Sequence, residues 1–133
     1  MVSAALVALA GAGFAVAGQG PRTFDGDLKK GGVVSFRLSG HDGKAVDDIS
    51  IDGIAADCRP GSATLDYVIF GDTPVNDDRT FAVRSEDGTG GKALVKGRFS
   101  RKFRRVEGVV RVYGKFFGDS TRCDTGKQKF KAG

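Results

Sequence analysis

The sequence predicts an all-β protein: an antiparallel meander of about eight short strands, folded into a barrel or sandwich, behind an N-terminal apolar segment. Three observations carry this. Apolar and polar residues alternate with period two in run after run, which sends neighbouring side chains to opposite faces of a strand. Turn residues punctuate the runs about every 8 to 12 residues, the spacing of small β domains. No segment after Gly18 sustains a helical period.

The elements follow in order. Val34-Ser35-Phe36-Arg37-Leu38-Ser39 alternates strictly and puts Val34, Phe36 and Leu38 on one face. Ser39-Gly40-His41-Asp42-Gly43 reads as a hairpin loop. Ile49 and Ile51 share a face and lead toward Cys58. Leu65, Tyr67 and Ile69 alternate before the turn Gly71-Asp72-Thr73-Pro74. Phe81 and Val83 form a short face closed by Glu86-Asp87-Gly88. Val95, Gly97 and Phe99 enter a polar tip, and Val106, Gly108, Val110, Val112 and Gly114 leave it. Gln128, Phe130 and Ala132 end the chain between Lys127, Lys129 and Lys131, whose ammonium groups read as a solvated face that also discourages edge-to-edge pairing. Short connections imply that consecutive strands pair as antiparallel neighbours.

The predicted core joins Val34, Phe36, Leu38, Ile49, Ile51, Phe81, Val83, Phe99, Val106, Val110, Val112 and Phe130. Phe24, Phe70 and Phe116 are expected to help fill the interior. The hairpin from Ala93 to Phe116 has a predictable register. If Gly97 faces Gly108, Phe99 meets Val106 inside and Arg98 meets Glu107 outside, two favourable cross-strand pairs. Facing glycines imply a strongly bent or closely approached backbone.

Residues 2–18 carry no charge and close on Ala15-Val16-Ala17. The stretch is short for a membrane span, which needs about 20 apolar residues. It fits a signal peptide over residues 1–17, leaving a single domain over 18–133. No Lys or Arg precedes it, which implies either a chain truncated at its start or the Met1 amino group as the only positive charge there. A retained anchor or a buried segment are the alternatives to a signal peptide. Export places the protein outside the cell or at its surface. There, Cys58 and Cys123 read as one disulfide. Two free thiols, or a Cys nucleophile beside His41, are the other readings. No second ligand pair accompanies these three residues, so no metal site is expected.

These features together resemble a known group. Thr23-Phe24-Asp25-Gly26 is followed by Gly32-Val33-Val34-Ser35-Phe36-Arg37-Leu38 and a mid-chain Cys58. Then come Gly97-Arg98-Phe99, Val106-Glu107-Gly108-Val109-Val110-Arg111, and Cys123 ahead of a final basic strand. The order resembles small secreted all-β proteins of high-GC bacteria, over nearly all of residues 18–133. The resemblance implies export, a disulfide and a β fold, and it carries no catalytic residues to transfer.

Charge is split along the chain. Residues 1–91 hold 8 Lys/Arg and 13 Asp/Glu, whereas residues 92–133 hold 13 and 3. The densest cluster is Arg98, Arg101, Lys102, Arg104 and Arg105, with Phe99 and Phe103 interleaved. Guanidinium groups beside an exposed ring would suit phosphate or carboxylate polymers. Outside a cell these are wall polymers, acidic glycans or anionic lipid head groups, and nucleic acid is not an expected partner. The bland alternative is a soluble tip whose charges pair with the acidic half of the same domain. The abundant aspartates show no EF-hand spacing, and Asp42-Gly43, Asp52-Gly53 and Asp87-Gly88 are first of all turn signals. Ser62 is not on a nucleophile elbow. The sequence therefore predicts a non-enzymatic binding domain without a cofactor. A small-ligand carrier barrel is the second reading and an extracellular hydrolase the third.

Overall fold

The structure, a computed structural model, describes residues 22–39, 44–118 and 121–133. The expected leader and the loop residues His41 and Asp42 lie outside them. Ten strands run through the described residues: β1 (Arg22–Leu28), β2 (Val33–Ser39), β3 (Ala45–Arg59), β4 (Ser62–Ile69), β5 (Thr73–Pro74), β6 (Thr80–Glu86), β7 (Gly91–Phe99), β8 (Val106–Phe116), β9 (Thr121–Asp124) and β10 (Gln128–Ala132). Hydrogen bonding closes through β10–β1–β2–β3–β9–β8 and back to β10, making a six-stranded antiparallel barrel. β4 and β5 continue from β3, and β7 and β6 continue from β8.

The sequential pairs β1–β2, β2–β3, β3–β4, β6–β7 and β7–β8 are the expected meander. β5 and β9 are additional to it. β9 also departs from the neighbour rule, because it pairs with β3 as well as with β8. That pairing sets Cys58 directly opposite Cys123, bonded as a disulfide with the Cα atoms 4.0 Å apart.

β3, which pairs with β2, β4, β5 and β9, is bulged twice. Its register slips against β2 between Ser35 and Arg37, beside Asp48, and against β4 between Ile51 and Ile54, at Gly53. Asp48 and Gly53 have φ of 52° and 69°. Each extra residue shifts the alternation by one. Val46, Ile49, Ile51, Ile54, Ala56 and Cys58 therefore all face inward, although no single period-two phase joins them. Asp52-Gly53, a turn signal by sequence, is thus a mid-strand bulge, with the Gly53 N–H donating to the Asp66 carboxylate at 2.8 Å.

The inward faces build one core around phenylalanine rings. Phe36 touches Phe24, Phe81, Phe99 and Phe130 at centroid distances of 5.7, 5.5, 6.3 and 6.1 Å. Such ring pairs contribute about 0.5–1.5 kcal/mol beyond their area burial. Eleven of the twelve expected core residues are buried, and Val83 is half-buried at the rim. Phe116 packs there too. Phe70 does not: it falls one residue past β4, on the outward phase, and is 89% exposed.

One polar side chain is built into the seam. Gln128, buried, donates from Nε2 to the carbonyls of Ala55 (3.1 Å) and Thr125 (3.3 Å) and accepts from the Lys30 N–H (3.3 Å). It thereby ties β10 to β3 and to the β1–β2 turn. No buried side-chain polar atom among the described residues lacks a partner.

Candidate polyanion interface

The β7–β8 hairpin has the expected register: Gly97 faces Gly108, Phe99 faces Val106 and Arg98 faces Glu107. The glycine pair is required by space. A Cβ on Gly108 would lie against the Lys96 carbonyl, and one on Gly97 would strike the Phe81 ring. This close approach anchors the hairpin, which ends in a tip over Ser100–Arg105.

Ser100 organises that tip. Its hydroxyl accepts from the N–H groups of Arg104 (3.2 Å) and Arg105 (3.1 Å), while its carbonyl accepts from the Phe103 N–H (2.9 Å). Phe103 takes a positive φ of 57°, a conformation rare for a bulky residue. Three contacts hold it there. Its ring packs on Phe99 at 5.3 Å, the Lys44 ammonium sits 3.7 Å over the ring, and its carbonyl accepts from Arg22 at 3.0 Å. The expectation of an exposed ring at the tip is therefore corrected. Phe103 is half-buried and turned toward the core, because burial against Phe99 recovers more than exposure would. Arg101, Lys102, Arg104 and Arg105 are left exposed, and Lys44 and Arg22 join them from below.

Three cations of the described residues, two of them on β7 and β8, are ion-paired, and the cations of the tip are not. Ion pairs among the described residues join Arg37 to Asp47 (3.0 Å) and Asp48 (3.1 Å), Lys92 to Glu86 (3.5 Å), and Arg111 to Asp124 (2.7 Å). None involves Arg98, Arg101, Lys102, Arg104 or Arg105. Pairing shifts some of these groups. The Asp47 hydrogen bond pushes the Arg37 guanidinium up, and the Arg111 hydrogen bond holds the Asp124 carboxyl below the usual carboxylate range. No ion pair joins the cluster to the acidic half among the described residues, although Asp78, held below the usual carboxylate range first by the Thr80 hydrogen bonds, is also lowered by the charge of Arg98.

The basic surface continues onto the sheet. The outward faces of β7, β8, β10 and β1 enclose an open groove of about 850 Å³. Lys29, Lys96, Arg98, Lys129 and Lys131 supply its cations, and Asp27 and Glu107 its carboxylates. A second groove of about 510 Å³ shares Arg98, Glu107 and Lys131 with the first and adds Arg79 and Arg105, so the face runs unbroken into the tip. Lys127, Lys129 and Lys131 are exposed, as the expected solvated face requires, but protection of a strand edge is not their role. β10 is not an edge, since it pairs with β1 on one side and β8 on the other. The signal that could have found Lys129 and Lys131 is their shared outward phase with Lys96 and Arg98.

Arg98, Arg101, Lys102, Arg104 and Arg105 are thus brought together on one hairpin. Cys58 and Cys123 are joined elsewhere, at the β3–β9 contact. No group of three or more His, Cys, Asp or Glu arranged to hold a metal ion occurs among the described residues. No protein-family model, no curated protein and no solved structure matches this chain.

Proposed function

We propose that this protein is an exported, non-enzymatic β domain, secreted or held at the cell surface, that binds an anionic polymer of the cell envelope through its basic β7–β8 hairpin. The observation that carries the reading is the unneutralised charge of the tip. Like charges so close repel one another, and no carboxylate of the described residues approaches within ion-pair distance. An external polyanion supplies the missing counter-charge. The inward turn of Phe103 leaves no aromatic platform at the tip, which favours recognition of charge over stacking on bases. A disulfide within the fold fits an oxidising compartment. The aromatic filling of the interior weighs against the carrier reading.

The test is retention on a heparin or teichoic-acid column. The parent should be held and released by salt, because the contacts are exposed and screening tightens from about 10 Å at 0.1 M to about 3 Å at 1 M. Replacing Arg101, Lys102, Arg104 and Arg105 with Gln should abolish retention without lowering the melting temperature. Elution of both proteins at the same salt would contradict the reading.

A further inference from the structure

We propose that the outer face of β7, β8 and β10 is itself part of the binding site and holds an extended segment of a linear, phosphate-linked polymer, with the hairpin tip as one end of the track. The inference rests on the proposed function and enlarges the site from a loop to a sheet face.

Three features of the groove support it. Its cations stand in two columns, Lys96 and Arg98 on β7 and Lys129 and Lys131 on β10, flanking Val109 on β8. Residues two apart on a strand are about 7 Å apart, and strands once removed are about 10 Å apart, so an anionic group lying over Val109 is within reach of both columns. The groove's volume suits several monomer units rather than a single ion. Val109, between the two columns, offers an apolar side chain to the carbon linkers between phosphates. None of the four cations has a carboxylate partner within ion-pair distance among the described residues, although Glu107 is the cross-strand neighbour of both Arg98 and Lys131. Glu107 lies in the path of the polymer and opposes it.

The experiment measures affinity of the full domain for a glycerol-phosphate polymer at several salt concentrations. The variant Lys96→Gln/Lys129→Gln/Lys131→Gln keeps the tip intact. Three lost phosphate contacts should flatten the slope of log K against log salt by about 2 and weaken binding about 100-fold at 0.1 M salt. Glu107→Gln should do the opposite and tighten binding, a gain that misfolding cannot imitate. If the triple variant binds like the parent while the tip variant loses binding, the face is not part of the site, and the proposed function stands without it. If the parent fails to bind any anionic polymer, the proposed function itself falls. Tighter binding of single-stranded DNA than of the glycerol-phosphate polymer would overturn the assignment of polymer class.

Discussion

Two cross-strand pairs invite comparison. On β2 and β3, Arg37 lies opposite Asp47 and grips it at 3.0 Å, with Asp48 adding a second contact at 3.1 Å. On β7 and β8, Arg98 lies opposite Glu107 in the same antiparallel relation, yet no ion pair forms. The bulge at Asp48 explains part of the difference, because the extra residue places two carboxylates beside one guanidinium. Arg98 instead opens onto the cationic face with Lys96 and Lys131 around it. Arg37 is neutralised within the fold, whereas Arg98 has no carboxylate within ion-pair distance among the described residues. Charge held inside the fold contributes to stability, whereas charge left outside it is available for binding.

The strongest perturbation erases the contrast by removing what both regions share. Phe36 from the first region and Phe99 from the second meet in the core, 6.3 Å apart. Phe36→Ala or Phe99→Ala should each cost about 3–5 kcal/mol, read as a shift in denaturation midpoint. An unchanged midpoint for either would mean that the halves do not depend on a common core.

The disulfide comes next in size. Cys58 and Cys123 span a sequence separation of 65 and join β3 of the acidic half to β9 of the basic half. Chain-entropy reasoning gives about 4 kcal/mol for a loop of that length. Intact mass before and after reduction, with thiol alkylation, should show no free thiol in the native protein, and Cys58→Ser/Cys123→Ser should unfold at markedly lower denaturant.

Smaller effects sharpen the comparison directly. Arg37→Gln should lower the denaturation midpoint only slightly, as for other surface ion pairs. Neutralising the tip should lose nothing measurable, since no pair is broken there. Acid should discriminate as well. The Asp124 carboxyl, held low by Arg111, contributes stability that is present above its unfolded pKa and lost as pH falls through the lower folded one. Asp124→Asn should therefore shrink the acid-induced loss of stability, and an unchanged acid limb would contradict that role.

Much of this architecture is readable in the sequence because strands with one buried face must alternate. The β7–β8 register follows from the two glycines and the pairs beside them. What escaped reading depends on breaks in alternation or on contacts distant along the chain. The inward phase of β3 survives two bulges, which period two alone does not anticipate. Phe70 sits just beyond the last inward position of β4 and is exposed, despite being apolar. β9 is four residues long and is placed by its pairing with β3. Of the candidate site, the arginine-rich tip is visible as composition. The contribution of Lys96, Lys129 and Lys131 is not, because it requires knowing that β10 lies inside the sheet beside β8.

The central claim is that the hairpin cations are left free within the fold so that an external polyanion takes them up. The most direct test is the slope of log K against log salt for the parent and for the variant with Arg101, Lys102, Arg104 and Arg105 changed to Gln. A steep negative slope for the parent, flattened by about 3 in the variant, is predicted from four lost contacts on a flexible polyanion. Identical slopes for the two proteins would contradict it.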